Sequence, residues 1–206
     1  MKVLLFNGSP RENGCTFTAL SEIAAVLNSQ GIETEILQAG TKPVQDCIAC
    51  GGCRGKGKCV FDDVANELIE KAKTADGFVF GTPVYYAHPT GRVLSILDRA
   101  FYAGGVNFRH KPCVVVASAR RAGTTASLDA IAKYAGITEM PLISSTYWNM
   151  VHGSNPEQVK KDEEGVQTMH NAAMNMAWIL KCIEIGKQNG VPVPNTEKGK
   201  YTNFIR

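Results

Sequence analysis

Four cysteines fall inside thirteen residues, Cys47-Ile-Ala-Cys50-Gly-Gly-Cys53-Arg-Gly-Lys-Gly-Lys-Cys59, and four thiolates drawn together can hold a metal centre. The spacing is C-x2-C-x2-C-x5-C, and these four are more than half of the seven cysteines in the chain. Glycines 51, 52, 55 and 57 fill the gaps, so the backbone can wrap tightly around something small. Structural zinc ordinarily takes two C-x-x-C pairs separated by a dozen or more residues. Three cysteines at successive three-residue steps, with a fourth just beyond, read instead as the loop of a cubane [4Fe-4S] cluster. Four thiolates around such a cluster leave it anionic, and Arg54, Lys56 and Lys58 lie in the same loop to offset that charge. The spacing favours the cluster, while zinc and a thiol or disulfide loop stay open. An inert glycine-rich loop is disfavoured, because four cysteines rarely fall together at this spacing by chance.

A second constellation lies between the first apolar run and the first helical pattern, Gly8-Ser9-Pro10-Arg11-Glu12-Asn13-Gly14-Cys15-Thr16. A strand–loop–helix turn rich in small hydroxyl residues can wrap a phosphate. Its backbone N–H groups and the helix N-terminus supply donors and positive potential. Ser9, Asn13 and Thr16 add side-chain donors, and Arg11 adds charge. The Walker pattern needs Lys before the Thr, where Cys15 stands, and no G-x-G-x-x-G fingerprint is present. Nucleoside triphosphates and Rossmann-type dinucleotides are therefore disfavoured, and a monophosphate such as that of FMN fits best. An ordinary turn with Thr16 as N-cap is the alternative.

Two more loops follow apolar strands. Pro83-Val84-Tyr85-Tyr86 sits where a ligand-facing loop belongs. Ser118-Ala119-Arg120-Arg121-Ala122-Gly123-Thr124 carries two arginines that suit a flavin carbonyl or a nicotinamide phosphate, or else a solvated basic turn. His88 and His152 read as structural before they read as proton donors. Asp98 and Arg99, adjacent on a helix, read as a solvated pair.

The elements that must position these loops alternate strand and helix. Strands are expected at Val3–Asn7, Thr34–Leu37, Phe78–Phe80, Cys113–Ala117 and Leu142–Tyr147, and helices at 16–30, 62–73, 91–103, 124–135 and 156–187. Strands apolar throughout, alternating with helices, predict an α/β three-layer sandwich with a parallel sheet. Five such strands fit the flavodoxin-like order 2-1-3-4-5, whose ligand binds beyond the carboxyl ends at the switch point. One domain is expected over 1–187, with its Cys-rich loop at 43–60 and an irregular arm at 188–206. The apolar stripe of the last helix suits core or a subunit interface.

Hydrophobic content of 44% can build a core, and the net charge of +3 with no block of five like charges gives no case for nucleic acid. Met1-Lys2 runs straight into Val-Leu-Leu-Phe, too short for a signal-peptide core, and no stretch is apolar enough for a membrane span. Clustered cysteines in a non-secreted chain point to a reducing cytoplasm.

The loop Gly8-Ser9-Pro10-Arg11-x-Asn13-Gly14-x-Thr16 is similar to the phosphate loop of the NADPH-dependent FMN reductase group of flavodoxin-like proteins. Asp76-Gly77-x-Val79-Phe80-Gly81-Thr82-Pro83-Val84-Tyr85-Tyr86 resembles that group's second flavin loop, followed by Leu97-Asp98-Arg99. The cysteine loop resembles that of the iron–sulfur flavoproteins within the group. The resemblance covers residues 1 to about 118 well and is weaker through Tyr147–Gly153. It implies FMN on Ser9, Arg11, Asn13, Cys15, Thr16, Phe17, Pro83, Val84, Tyr85, Tyr86, Ser118, Arg120 and Gly123, and a [4Fe-4S] cluster on Cys47, Cys50, Cys53 and Cys59. It also implies NAD(P)H or a ferredoxin as donor, and a homodimer or homotetramer. Cys15 departs from the hydroxyl or amide residue usual at its position.

The expected function is an FMN-dependent oxidoreductase of the NAD(P)H:flavin or acceptor reductase type with an associated cluster. Hydride transfer to a flavin requires no protein acid or base, so no catalytic residue is expected. Two alternatives remain: a flavodoxin-like electron carrier, which the positive net charge disfavours, and a cysteine-loop redox or metal sensor. Strand two lies on the far side of strand one from the switch point. The cysteine loop is therefore expected to meet a neighbouring subunit's flavin more easily than its own.

Overall fold

In the computed structural model, which describes residues 1–197, 199, 200 and 202, apolar runs form strands and amphipathic ones form helices. β1 (Lys2–Asn7) leads through α1 (Cys15–Ser29) to β2 (Glu33–Gln38), and a long loop, 39–63, precedes α2 (Val64–Ala72). β3 (Gly77–Tyr85) turns back into a short β4 (His88–Pro89), followed by α3 (Gly91–Gly104), β5 (Cys113–Ala119) and α4 (Thr124–Ile137). β6 (Met150–His152), α5 (Pro156–Val159) and α6 (Glu163–Gln188) complete the elements. The sheet order is β2-β1-β3-β5-β6, all parallel, with β4 antiparallel to the end of β3. This is the flavodoxin-like arrangement, with β4 as a sixth strand where five were expected.

Side chains alternate across the sheet because a strand has period two. Leu4, Phe6, Phe78, Phe80 and Val115 point into one core, under α2, α3 and α4. Val3, Leu5, Val79, Val114 and Val116 point into the other, under α1 and α6. β1, β3 and β5 are thus apolar on both faces, as a covered parallel sheet requires.

Two expected elements differ. The segment 142–147 makes only an isolated bridge, Leu142 to Cys113, and the fifth principal strand is β6. The polar groups of 144–146 turn to α6 instead of the sheet. Asn175 Nδ2 donates to the Ser144 carbonyl (2.9 Å), Asn171 Nδ2 to Thr146 Oγ1 (3.0 Å), and Ser145 Oγ to the Thr168 carbonyl (2.7 Å). The single helix expected over 156–187 is broken into α5 and α6 at Asp162. This residue leaves the helical region, accepts from Gly165 N (3.0 Å) as the cap of α6, and accepts from His152 N (2.6 Å).

The cysteine loop runs beside α3. It leaves β2 at the carboxyl edge, and Arg92 in the first turn of α3 donates to the carbonyls of Lys42 (2.6 Å) and Thr41 (3.3 Å). Arg99, seven residues or about 10 Å further along α3, donates to the Gln45 carbonyl (2.9 Å). The loop therefore descends the side of α3. Of the expected arm 188–206, residues 198, 201 and 203–206 lie outside the described residues.

Candidate functional site

The loop after β1 is built on Asn7, a fully buried side chain at the end of an otherwise apolar strand. Its Oδ1 accepts from Ser9 N (3.1 Å), the turn that asparagine forms with the backbone two residues on. Its Nδ2 donates to Gln38 Oε1 (2.8 Å) on β2 and reaches the carbonyls of Arg11 and Glu12. Ser9 Oγ then accepts from Arg11 N (3.1 Å). Gly8 passes so close to β3 that an added Cβ would stand 2.7 Å from the Gly81 carbonyl oxygen. At the N-terminus of α1, Gly14 offers no side-chain cap, and the first turn holds no acidic residue. Thr16 is therefore not the N-cap. The unclaimed N–H donors of that turn, with Arg11 beside them, suit a phosphate.

A cavity of about 180 Å³ opens over this loop. Of the residues expected at a flavin, Ser9, Arg11, Cys15, Thr16, Pro83, Val84, Tyr85, Ser118 and Arg120 line it; Ala119, Gly153 and Ser154 join them. Thr16 Oγ1 and Ser118 Oγ share a 2.7 Å hydrogen bond that ties the first loop to the third. Cys15 Sγ donates to the Gly153 carbonyl (3.5 Å), and burial raises its thiol pKa. Asn13, Phe17, Tyr86 and Gly123 are not among the lining residues. Tyr86 is 98% exposed with φ +50°, and Gly123, at φ +91°, packs beneath Ala87. His88 Nδ1 pairs with the Pro89 carbonyl (2.9 Å) and His152 Nε2 with that of Arg121 (3.1 Å), which suits their structural reading.

The four clustered cysteines all line a second cavity, of about 560 Å³, with Asp98, Arg99 and Tyr102 of α3. None of the four is in a disulfide. Ala49, Gly51, Gly55 and Gly57 hold φ between +53° and +69°. Such left-handed residues turn successive N–H groups inward to form a concavity that binds anions, iron–sulfur clusters included. Among the described residues, no three His, Cys, Asp or Glu side chains converge as ligands of one ion. The four cysteines border one cavity. The two cavities share no lining residue.

Arg99 overturns the expectation of a solvated pair. It is 1% exposed, and its guanidinium is bonded throughout. Nε donates to Cys59 Sγ (3.2 Å), Nη1 to the Gln45 carbonyl (2.9 Å) and Asp63 Oδ2 (2.7 Å), and Nη2 to the Phe61 carbonyl (2.9 Å) and Asp63 Oδ1 (2.7 Å). Burial opposes its charge, but Asp63 and Cys59 outweigh that and hold its pKa above the ordinary value. Asp98 instead accepts from Tyr134 Oη (2.5 Å). Asn66 clamps Cys59 from α2, its Oδ1 accepting from Cys59 N (2.7 Å) and its Nδ2 donating to the Cys59 carbonyl (3.0 Å). Asn7, Asn66 and Arg99 were not foreseen as site residues.

The profile of NADPH-dependent FMN reductase matches residues 1–155. An iron-sulfur flavoprotein of Methanocaldococcus jannaschii is 30% identical over 192 residues, covering 89% of this chain and 100% of the relative. One from Archaeoglobus fulgidus is 30% identical over 195 residues, covering 88% and 96%. Among solved structures, RosB with bound 8-demethyl-8-formylriboflavin-5'-phosphate superposes with a TM-score of 0.69 at 15% identity, covering 100% of this chain and 94% of that one. An archaeal flavodoxin superposes with a TM-score of 0.61 at 12% identity, covering 88% and 99%.

Proposed function

The chain belongs to the NADPH-dependent FMN reductase family of flavoprotein oxidoreductases, and from that premise we propose that it moves electrons through FMN and a [4Fe-4S] cluster. The gathering of Cys47, Cys50, Cys53 and Cys59 around one cavity carries the cluster half of this reading. The uncapped N-terminus of α1 beside Arg11 carries the FMN half. Bound FMN supplies two-electron hydride chemistry and the cluster one-electron transfer. The protein's own part is to bind and orient. Arg11, Ser9 and the first turn of α1 hold the phosphate. Pro83, Val84, Tyr85, Ser118 and Arg120 would line the flavin. The four cysteines hold the cluster on the flank of α3. A nicotinamide nucleotide or a ferredoxin is the donor, and a reducing cytoplasm keeps the thiols free.

Residues 1–187 form the flavin domain, with the cysteine loop as an excursion from it and 188–206 as an arm. The lack of a shared lining residue between the cavities supports a homodimer or homotetramer in which one protomer's cysteine loop faces another's flavin loop.

Anaerobic reconstitution with ferrous iron, sulfide and FMN tests the reading. The expected product is brown and carries about four iron and four sulfide per chain. Cys53→Ala loses most of that iron, whereas Cys113→Ala keeps it, because Cys113 is fully buried in β5. One tightly held zinc without sulfide would overturn the cluster assignment.

A further inference from the structure

A buried arginine is costly unless every donor finds a partner. Arg99 has five N–H donors, and its five hydrogen bonds use them all: one on Cys59 Sγ, two on Asp63, and one each on the Gln45 and Phe61 carbonyls. The guanidinium also lies 5.2 Å from the Phe61 ring centroid. Its partners span residues 45 to 63, so one side chain on α3 gathers both ends of the cysteine loop. Asn66 fixes the Cys59 backbone from the other side. Of the four cysteines, Cys59 thus has its sulfur held by α3 and its main chain by α2.

We propose that Arg99 is a positioning residue for the metal centre, presenting Cys59 as a preset ligand and setting the cluster's reduction potential through its N–H···S bond. This rests on the cluster reading of the loop. A donor aimed at a cysteinyl sulfur stabilises the more negative, reduced state of a cluster, so it raises the potential. The planar fork is what permits the arrangement. It donates along Nε to sulfur while its other edge is spread over Asp63 and two carbonyls, and a lysine cannot do both.

The test compares wild type, Arg99→Lys and the double variant Arg99→Gln/Asp63→Asn, which removes both partners of the buried pair together. All are reconstituted anaerobically with iron, sulfide and FMN. The cluster and flavin potentials are then read separately, by EPR-monitored and optical titration. If wild type itself takes up no cluster, the cluster reading fails and Arg99 is not at issue. With wild type loaded, both variants are expected to keep FMN and its potential, to load iron more slowly, and to show a more negative cluster potential. A variant that keeps FMN but holds no cluster also supports the positioning role. Full loading at wild-type rate with an unchanged cluster potential would overturn the proposal. So would loss of FMN together with the cluster in both variants, which would make Arg99 a residue of the fold alone.

Discussion

Gly123 illustrates how a single residue acts on the site without touching its contents. It sits at φ +91°, where side chains are strained, and an added Cβ would stand 2.3 Å from Ala87 Cα and 2.9 Å from Val84 Cγ1. The third loop thus supports the second from beneath. Gly123→Ala is expected to cost about 1–3 kcal/mol of stability, the usual size of such backbone strain, and to weaken FMN about tenfold or more by lifting Pro83–Tyr85. Urea unfolding and quenching of flavin fluorescence read the two effects. Wild-type FMN affinity in this variant would show that the loops are not coupled. The sequence places Gly123 in a third loop on the binding edge, and the fold adds that it packs beneath Ala87 and Val84. Arg99 was misjudged because two adjacent charges on a helix look solvated. Its signal lay elsewhere, in the seven-residue spacing from Arg92, which puts both guanidiniums on one face of α3.

Among the elements, the sheet edge is joined by charge. Lys2 on β1 and Lys71 on α2 both donate to the Glu35 carboxylate on β2, Lys2 Nζ at 2.7 Å. The hydrogen bond from Lys2, then that from Lys71, lowers the Glu35 pKa below its ordinary 4.5. A carboxylate with a lowered folded pKa contributes stability above its unfolded pKa and loses it as pH falls through the folded one. Glu35→Gln is therefore expected to lower stability slightly at pH 7, with the difference from wild type shrinking as pH falls through the lowered folded pKa. A thermal melt series across pH reads this, and a difference that grows on acidification would contradict it. Elements were legible where burial dictated them. β1, β3 and β5 are apolar on both faces, and no other assignment suits them. The segment 142–147 has only Leu142 and Ile143 before Ser144, Ser145 and Thr146, too little to hold it in the sheet against the asparagines of α6. The break before α6 did carry a signal, Asp162 followed by Glu163 and Glu164, a cap with an acidic first turn.

For the whole molecule, the strand order could be read from the alternation of apolar runs, because parallel crossovers leave few alternatives. The path of the cysteine loop could not. It depends on one arginine meeting partners at 45, 59, 61 and 63, and nothing local encodes that meeting. Ile48, Val60, Tyr86, Tyr102 and Val106 are large apolar residues left more than 45% exposed on the loops and on and beyond α3. Sedimentation at micromolar concentration is expected to find a dimer or tetramer. A monomer that still reduces an acceptor through both centres would rule out the inter-subunit arrangement. The loop's place outside both cores has a further consequence. No residue from 45 to 61 belongs to either core or lines the cavity over the β1 loop. If the loop holds the proposed cluster, oxygen that strips it would leave a yellow protein that keeps its FMN and lacks the route from flavin to cluster. Such damage would leave both cores intact, and a preparation handled in air would pass for a simple flavin reductase.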